Sequence, residues 1–181
     1  MPRAPVQKPR VAAIVLAAGA ATRFGSPKQR LLLPLVLARL RAAGIEEVVV
    51  VEGAFVLEAP GARVVWAEDW ERGPGASLRT GLGALDSEID AAVVCLADGP
   101  LLAPGAVDRV VAAWQAGAEE IVAASYGGNR SHPLVLGRAA WDAVPDEGLR
   151  ALHVHLVPCD DLGPPGDVDT PADLRALGLD G

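Results

Sequence analysis

The chain has 181 residues, 51% of them hydrophobic, and a formal net charge of −7. That is enough length to bury one sizeable core, and too acidic a balance to rely on neutralising a nucleic-acid backbone. Two cysteines, Cys95 and Cys159, lack CxxC or metal-ligand spacing, and no apolar stretch approaches the roughly eighteen residues needed to span a bilayer. A disulfide framework, a membrane span and a targeting segment are therefore not expected, and the expected setting is cytoplasmic.

The first ten residues, basic and without an apolar run, are expected to be flexible. Residues 11–18 form a continuous apolar run that ends in Gly19, which reads as a buried strand emptying into a loop. The loop carries Arg23 and Lys28, with Gly19 and Gly25 letting a backbone come close. No Asp or Glu precedes Glu46, whereas eight of the sixteen Lys and Arg do. Ligands of open α/β sheets sit outside the carboxyl ends of the strands, so an anion, and a phosphate above all, suits this loop. A glycine turn after a strand also opens many α/β domains whose loop cations are merely solvated, and the residues alone leave both readings open. The spacing is neither the GxxxxGK[ST] phosphate loop nor the GxGxxG dinucleotide fingerprint.

Beyond the loop, a helix over 31–43 stops at Gly44, and strands follow at 45–51 and 63–66. An acidic-aromatic loop over 67–75 leads into a helix over 76–85. A fourth buried strand, 91–96, ends in Ala97, Asp98, Gly99 and Pro100, and a helix over 104–115 starts with proline. A strand over 120–125, a Gly-Gly-Asn-Arg loop and a strand near 133–136 come next. Short helices near 138–143 and 148–152, a strand over 153–157 and a closing helix over 171–177 complete the chain. Near-continuous apolar strands alternating with helices predict one domain over 1–181, an α/β fold of Rossmann-like type with a mainly parallel sheet and helices on both faces. Neither repeats nor linkers interrupt it.

Asp98 sits just past the fourth strand, at the same sheet edge as the first loop, where a carboxylate suits a metal or a ribose. Asp167 and Asp169 alternate, so in an extended segment only one of them enters a common site. Asp-Thr-Pro is equally an ordinary helix start.

The residues LAAG at 16–19, then Arg23, Phe24, Gly25, Pro27 and Lys28, resemble the signature LAAGxSxRMGxxK of the nucleotidyltransferases that activate molybdopterin with CTP or GTP. ADGP at 97–100 is similar to that family's D-x-P segment, and DVDTPADL at 167–174 to its DIDTPEDL. GPGASLRTGLG at 73–83 looks like GMGSSLRAGL, and NRSHPLVL at 129–136 like RGHPVLF. The resemblance implies a nucleotide-diphospho-sugar transferase type of fold and a transfer of CMP from CTP to molybdopterin with release of pyrophosphate. It implies Mg²⁺ on Asp98 and Asp169, and catalytic roles for Arg23, Lys28 and Asp98. Leu16, Ala17, Ala18, Gly19, Arg23, Lys28, Gly75 and Ser77 would bind the nucleotide, and Arg130, His132 and Pro133 the acceptor. Ala21 stands where the family has serine, and the stretch after Lys28 is shorter than the family's.

A phosphate monoester nucleophile is already anionic at neutral pH, so the chemistry implied needs positioning and charge neutralisation rather than a strong base. His153 and His155 read as structural or surface residues, and His132 lies in the acceptor segment. LAAG rather than LAGG, with SHPL, favours CTP. GTP or another NTP with a different phosphorylated acceptor, and a non-catalytic nucleotide-binding partner of a molybdenum enzyme, stand as alternatives. A nicotinamide-dependent oxidoreductase is disfavoured, because Gly81 to Gly83 falls inside a helix. Neither a nucleic-acid nor a membrane partner is expected.

Overall fold

The computed structural model describes residues 8–19 and 28–178. Among these residues seven strands form one sheet: β1 (Val11–Leu16), β2 (Val48–Glu52), β3 (Arg63–Trp66), β4 (Ala91–Leu96), β5 (Ile121–Tyr126), β6 (Asn129–Gly137) and β7 (His155–Pro158). Their order is β3-β2-β1-β4-β6-β5-β7, parallel throughout except for β6, which runs against both β4 and β5. The helices are α1 (Gln29–Ala42), α2 (Pro74–Gly83), α3 (Pro104–Gln115) and α4 (Pro171–Ala176). This is the expected α/β, mainly parallel, Rossmann-like architecture.

The alternation of side chains along each strand explains the two faces. Ala13 and Val15 of β1 pack with Val36 and Leu40 of α1 and with Val107 and Val110 of α3. Ala12 and Ile14 point the other way, to Leu78 and Leu82 of α2 and to Trp141 and Leu149 of two short 3-10 turns, Arg138–Ala143 and Leu149–Ala151. With both faces covered, the central strands read as unbroken apolar runs. Helix α2 lies so close that a Cβ on Gly81 would fall 2.8 Å from Val51 Cγ2 and 2.9 Å from Ile14 Cγ2. Only glycine fits that approach.

Several boundaries differ from expectation for identifiable reasons. The ladder between β1 and β4 closes at Leu16 and Leu96, so Ala17 and Ala18 leave the sheet edge instead of extending the strand to residue 18. Strand β2 starts at Val48 because the Ile45 N–H closes the end of α1 on the Leu40 carbonyl. Helix α2 starts at Pro74, where the missing N–H would have had no partner in any case. The Gly127–Gly128 pair, at φ of 57° and 77°, makes a tight reversal, so β6 already begins at Asn129. Asp160–Leu162 forms a further 3-10 turn that the residue pattern did not signal. At the start of the described residues the Arg10 N–H donates to Asp90 at 2.8 Å and its guanidinium pairs with Glu88, while residues 1–7 of the expected flexible stretch lie outside the described residues.

Strands β2 and β3 lie on one side of β1 and β4 on the other, so the strand order reverses between β1 and β4. A crevice opens at the carboxyl ends of strands at such a switch point. Here it is floored by the residues that follow Leu16 and Leu96.

Candidate active site

A cleft of about 480 Å³ occupies this switch point. Leu16, Ala17, Ala18 and Gly19 form one edge and Leu96, Ala97 and Asp98 the other. Trp70, Glu71, Gly73, Pro74 and Ser77 wall the side beneath α2, and Lys28, Gln29 and Asp169 close the far end. Arg23 lies outside the described residues, as do Ala21 and Gly25.

Lys28 and the two aspartates meet through backbone geometry. The Val168 N–H donates to the Asp98 carbonyl at 3.1 Å, which lays the 167–169 segment beside the end of β4. Leu32 of α1 packs on Val168 and Leu174, so α1 and α4 are held together beneath it. Thr170 caps α4 in a capping box with Asp173, and the Asp173 carboxylate also accepts the Asp169 N–H at 3.0 Å. Asp169 is thereby presented just outside the helix start. Lys28, only 6% exposed, puts its ammonium 3.1 Å from Asp98 Oδ2 and 3.2 Å from Asp169 Oδ1, and donates to the Val168 carbonyl as well.

Three oxygens thus converge on one cationic point, and Asp98 Oδ1, buried, has no hydrogen-bond partner among the described residues. A hard divalent cation such as Mg²⁺ or Mn²⁺ fits that donor set, because such ions take oxygen ligands. Among the described residues no group of three or more His, Cys, Asp and Glu is arranged around a single metal position. Oxygens from a phosphate would have to complete the shell that two carboxylates begin.

The alternation of Asp167 and Asp169 separates them as expected. Asp167 lines a second, much smaller cavity with His132, Gly99 and Pro165. Its carboxyl is raised above the usual range by burial first, then by the Asp98 and Asp169 charges, with Lys28 opposing. The His132 imidazole is pushed down to about 4 by burial, with Arg130 and Arg150 adding to the effect. It is therefore neutral at physiological pH. Burial also pushes the Cys95 thiol up to about 12, leaving it inert.

Of the residues singled out for the nucleotide, the described ones gather at the main cleft with one exception. Gly75 is turned away, packed on the 145–146 backbone, while its neighbours Gly73 and Pro74 face the opening. The residues singled out for the acceptor stand apart from the cleft. Arg130 gives its guanidinium to the Leu149 and Leu152 carbonyls, at 2.6 and 3.3 Å, and Pro133 is buried in β6. His132 reaches the small cavity that shares Leu96 with the main one.

Gln29 and Trp70 are among the cleft residues to which the sequence assigns no role. Gln29 is buried, donates to the Gly19 carbonyl at 2.9 Å and leaves its own side-chain oxygen without a partner among the described residues. Its signal was available: it occupies the same helix face as Leu32, Leu33 and Val36, an odd place for an amide. Trp70, in the 3-10 turn Trp70–Arg72, lies against Gly53, where a Cβ would fall 2.6 Å from its Cγ, and no local pattern marks it.

Solved structures share this fold. Rv0371c from Mycobacterium tuberculosis H37Rv is 28% identical, with 93% of this chain and 97% of that chain covered and a TM-score of 0.76. Its complex with manganese matches at 26% identity over the same shares, with a TM-score of 0.73. Molybdopterin-guanine dinucleotide biosynthesis protein A from Archaeoglobus fulgidus shares the fold at 16% identity, 91% and 95% coverage and a TM-score of 0.65. No curated protein matches the chain. The family model of the MobA-like NTP transferase domain spans residues 13–157, which take in both strands that flank the cleft and Lys28 and Asp98 at its mouth; the chain belongs to this family of nucleotidyltransferases.

Proposed function

We propose that the protein transfers CMP from CTP to molybdopterin or a closely similar phosphorylated acceptor, with a divalent metal held by Asp98 and Asp169. The observation that carries this reading is the convergence of Lys28, Asp98 and Asp169 on one point at the mouth of the cleft. A triphosphate with its metal needs one mobile cation and oxygen ligands at that place. The LAAG and SHPL segments favour CTP over GTP by resemblance to the family's CTP branch. The neighbour crystallised with manganese supports a divalent metal, and the fold shared with the molybdopterin-guanine protein supports the acceptor class.

In the reaction, an oxygen of the acceptor phosphate bonds to the α-phosphorus of CTP. The bond from that phosphorus to the bridging oxygen of the β-phosphate breaks, and pyrophosphate leaves with the electron pair. The acceptor is already an anion, so the site has no proton to remove. The backbone of Ala17, Ala18 and Gly19 and the Ser77 hydroxyl orient base and sugar along the cleft wall. Lys28, released from the carboxylates, meets the phosphates, a role that the resemblance extends to Arg23. The metal, when bound, neutralises phosphate charge. His132 stays neutral beside the acceptor route and accepts or donates a hydrogen bond there.

Calorimetric titration with CTP, GTP, UTP and ATP, each with and without Mg²⁺, tests the reading. Selective, metal-dependent CTP binding is expected, followed by pyrophosphate release when molybdopterin is added. Preference for GTP would move the substrate to the guanylyl branch, and binding without any turnover would make the protein a nucleotide-binding partner. Absence of binding by every nucleotide would overturn the proposal.

A further inference from the structure

The wall of the cleft beneath α2 is held from outside the motifs that resemble the family's signature. The Asp146 carboxylate accepts from Arg72 Nη2 at 2.8 Å and also from the Arg79 guanidinium, so one acid ties the 3-10 turn that carries Trp70 to the first turns of α2. The Asp146 backbone carbonyl accepts the Gly75 N–H at 3.0 Å, and Arg79 Nη1 reaches the Val144 carbonyl at 2.8 Å. The two backbones touch: a Cβ on Gly75 would fall 1.7 Å from the Pro145 carbonyl oxygen, and one on Gly73 2.4 Å from that of Asp146. Gly73, Pro74 and Ser77, which this strap immobilises, face the cleft.

We infer that Asp146 is the positioning residue for the nucleotide-facing wall, acting through Arg72, Arg79 and Gly75 without touching the ligand. The inference rests on the nucleotide-binding reading above. Its physical basis is that two guanidiniums on different turns are fixed by charge-assisted bonds to one carboxylate, which removes the freedom of the segment between them. A wall ordered before binding spares the ligand that cost. The same strap joins the wall to the 3-10 turns that follow β6, whose Leu149 and Leu152 carbonyls Arg130 holds. Nucleotide and acceptor sides of the site thus share one support.

The test is amide hydrogen exchange across residues 73–78 together with calorimetric titration by CTP and Mg²⁺, on the full chain and its variants. In Asp146→Ala, exchange over 73–78 is expected to accelerate while the central strands keep their protection, and Kd for CTP to rise about tenfold. Asp146→Glu, which keeps the carboxylate, recovers to within about threefold, a rescue that loss of bulk packing would not give. Arg72→Ala removes one exposed arm of the strap and leaves the fold intact, so it stands in if Asp146→Ala does not fold; about a threefold loss is expected. Unchanged exchange over 73–78, or wild-type CTP affinity in Asp146→Ala, overturns the inference. Failure of the wild-type protein to bind CTP overturns the nucleotide reading instead, and the exchange measurement then still judges the strap.

Discussion

Lys28 Nζ sits 3.2 Å from Asp169 Oδ1 across 141 positions of sequence, and the same ammonium lies 3.1 Å from Asp98. A cation of the chain itself therefore stands where the two carboxylates would hold a metal. Under the proposed function the lysine and a metal compete for the same oxygens, and a triphosphate would satisfy both by drawing the lysine onto its phosphates.

Lys28→Met removes the competitor. Taking away one positive charge about 3 Å from both carboxylates should tighten Mn²⁺ binding in the absence of nucleotide by about tenfold. Electron paramagnetic resonance of free Mn²⁺ against protein concentration reads this directly. The same variant should lose most nucleotide affinity, because the cation for the phosphates is gone. Mn²⁺ affinity that is equal or weaker in Lys28→Met would show that the carboxylates and the ammonium do not compete.

Asp98→Asn and Asp169→Asn separate the two carboxylates. Asp98 is the better shielded, at 26% side-chain exposure against 58% for Asp169, and it carries the unpartnered oxygen. Charges act more strongly where water is excluded, so Asp98→Asn should lower metal-dependent pyrophosphate release by about a hundredfold or more and Asp169→Asn by less. Circular dichroism of both variants should match the wild type. Equal, wild-type rates in both would remove the metal site from this place.

How much of this site could be read from the residues depends on whether a local pattern carried it. The strands β1, β3 and β4 and the helix α3 stand out because apolar runs and a proline start are local signals, and Asp98 follows from its place after β4. The meeting of Asp98 with Asp169 rests on the Val168 N–H reaching the Asp98 carbonyl, a long-range bond with no periodicity of its own. Gly75 faces the 145–146 backbone while its neighbours Gly73 and Pro74 face the cleft, since one residue of shift along a turn reverses what faces it. The resemblance assigns Arg130 to the acceptor, yet its guanidinium donates to two backbone carbonyls that only the folded chain brings together. Asp146 lies between two 3-10 turns in a stretch without helix or strand pattern, and nothing local distinguishes it from a solvated acid.

The depressed His132 makes stability depend on acidity in a defined direction. Its imidazole takes a proton near 6.5 in the unfolded chain and near 4 in the folded one, chiefly because burial opposes its charge. Between those values the unfolded chain binds more protons, so stability falls as pH drops from 6.5 towards 4 and is level with respect to this group above 6.5. The loss should be on the order of 1–3 kcal/mol. His132→Gln has no proton to gain, so urea midpoints at pH 7, 6 and 5 should fall less steeply in the variant. Parallel slopes for the two proteins would contradict the burial of a neutral His132.

Gly81→Ala tests how closely α2 is seated on the sheet that floors the cleft. The added methyl would meet Val51 Cγ2 at 2.8 Å and Ile14 Cγ2 at 2.9 Å, and Ile14 is fully buried with no space to retreat. Alanine favours the helix by about 1 kcal/mol over glycine, but overpacking a dense core costs about 1–3 kcal/mol, so the clash should prevail. A net loss on the order of 1 kcal/mol lowers Tm by about 2–4 °C in a domain of this size. Because α2 carries Ser77 on the turn that faces the cleft, lifting it off β1 and β2 should also weaken CTP binding. Differential scanning calorimetry with a CTP titration reads both effects. A variant with raised Tm and unchanged affinity would mean that helix propensity outweighs the contact and that α2 has slack against the sheet.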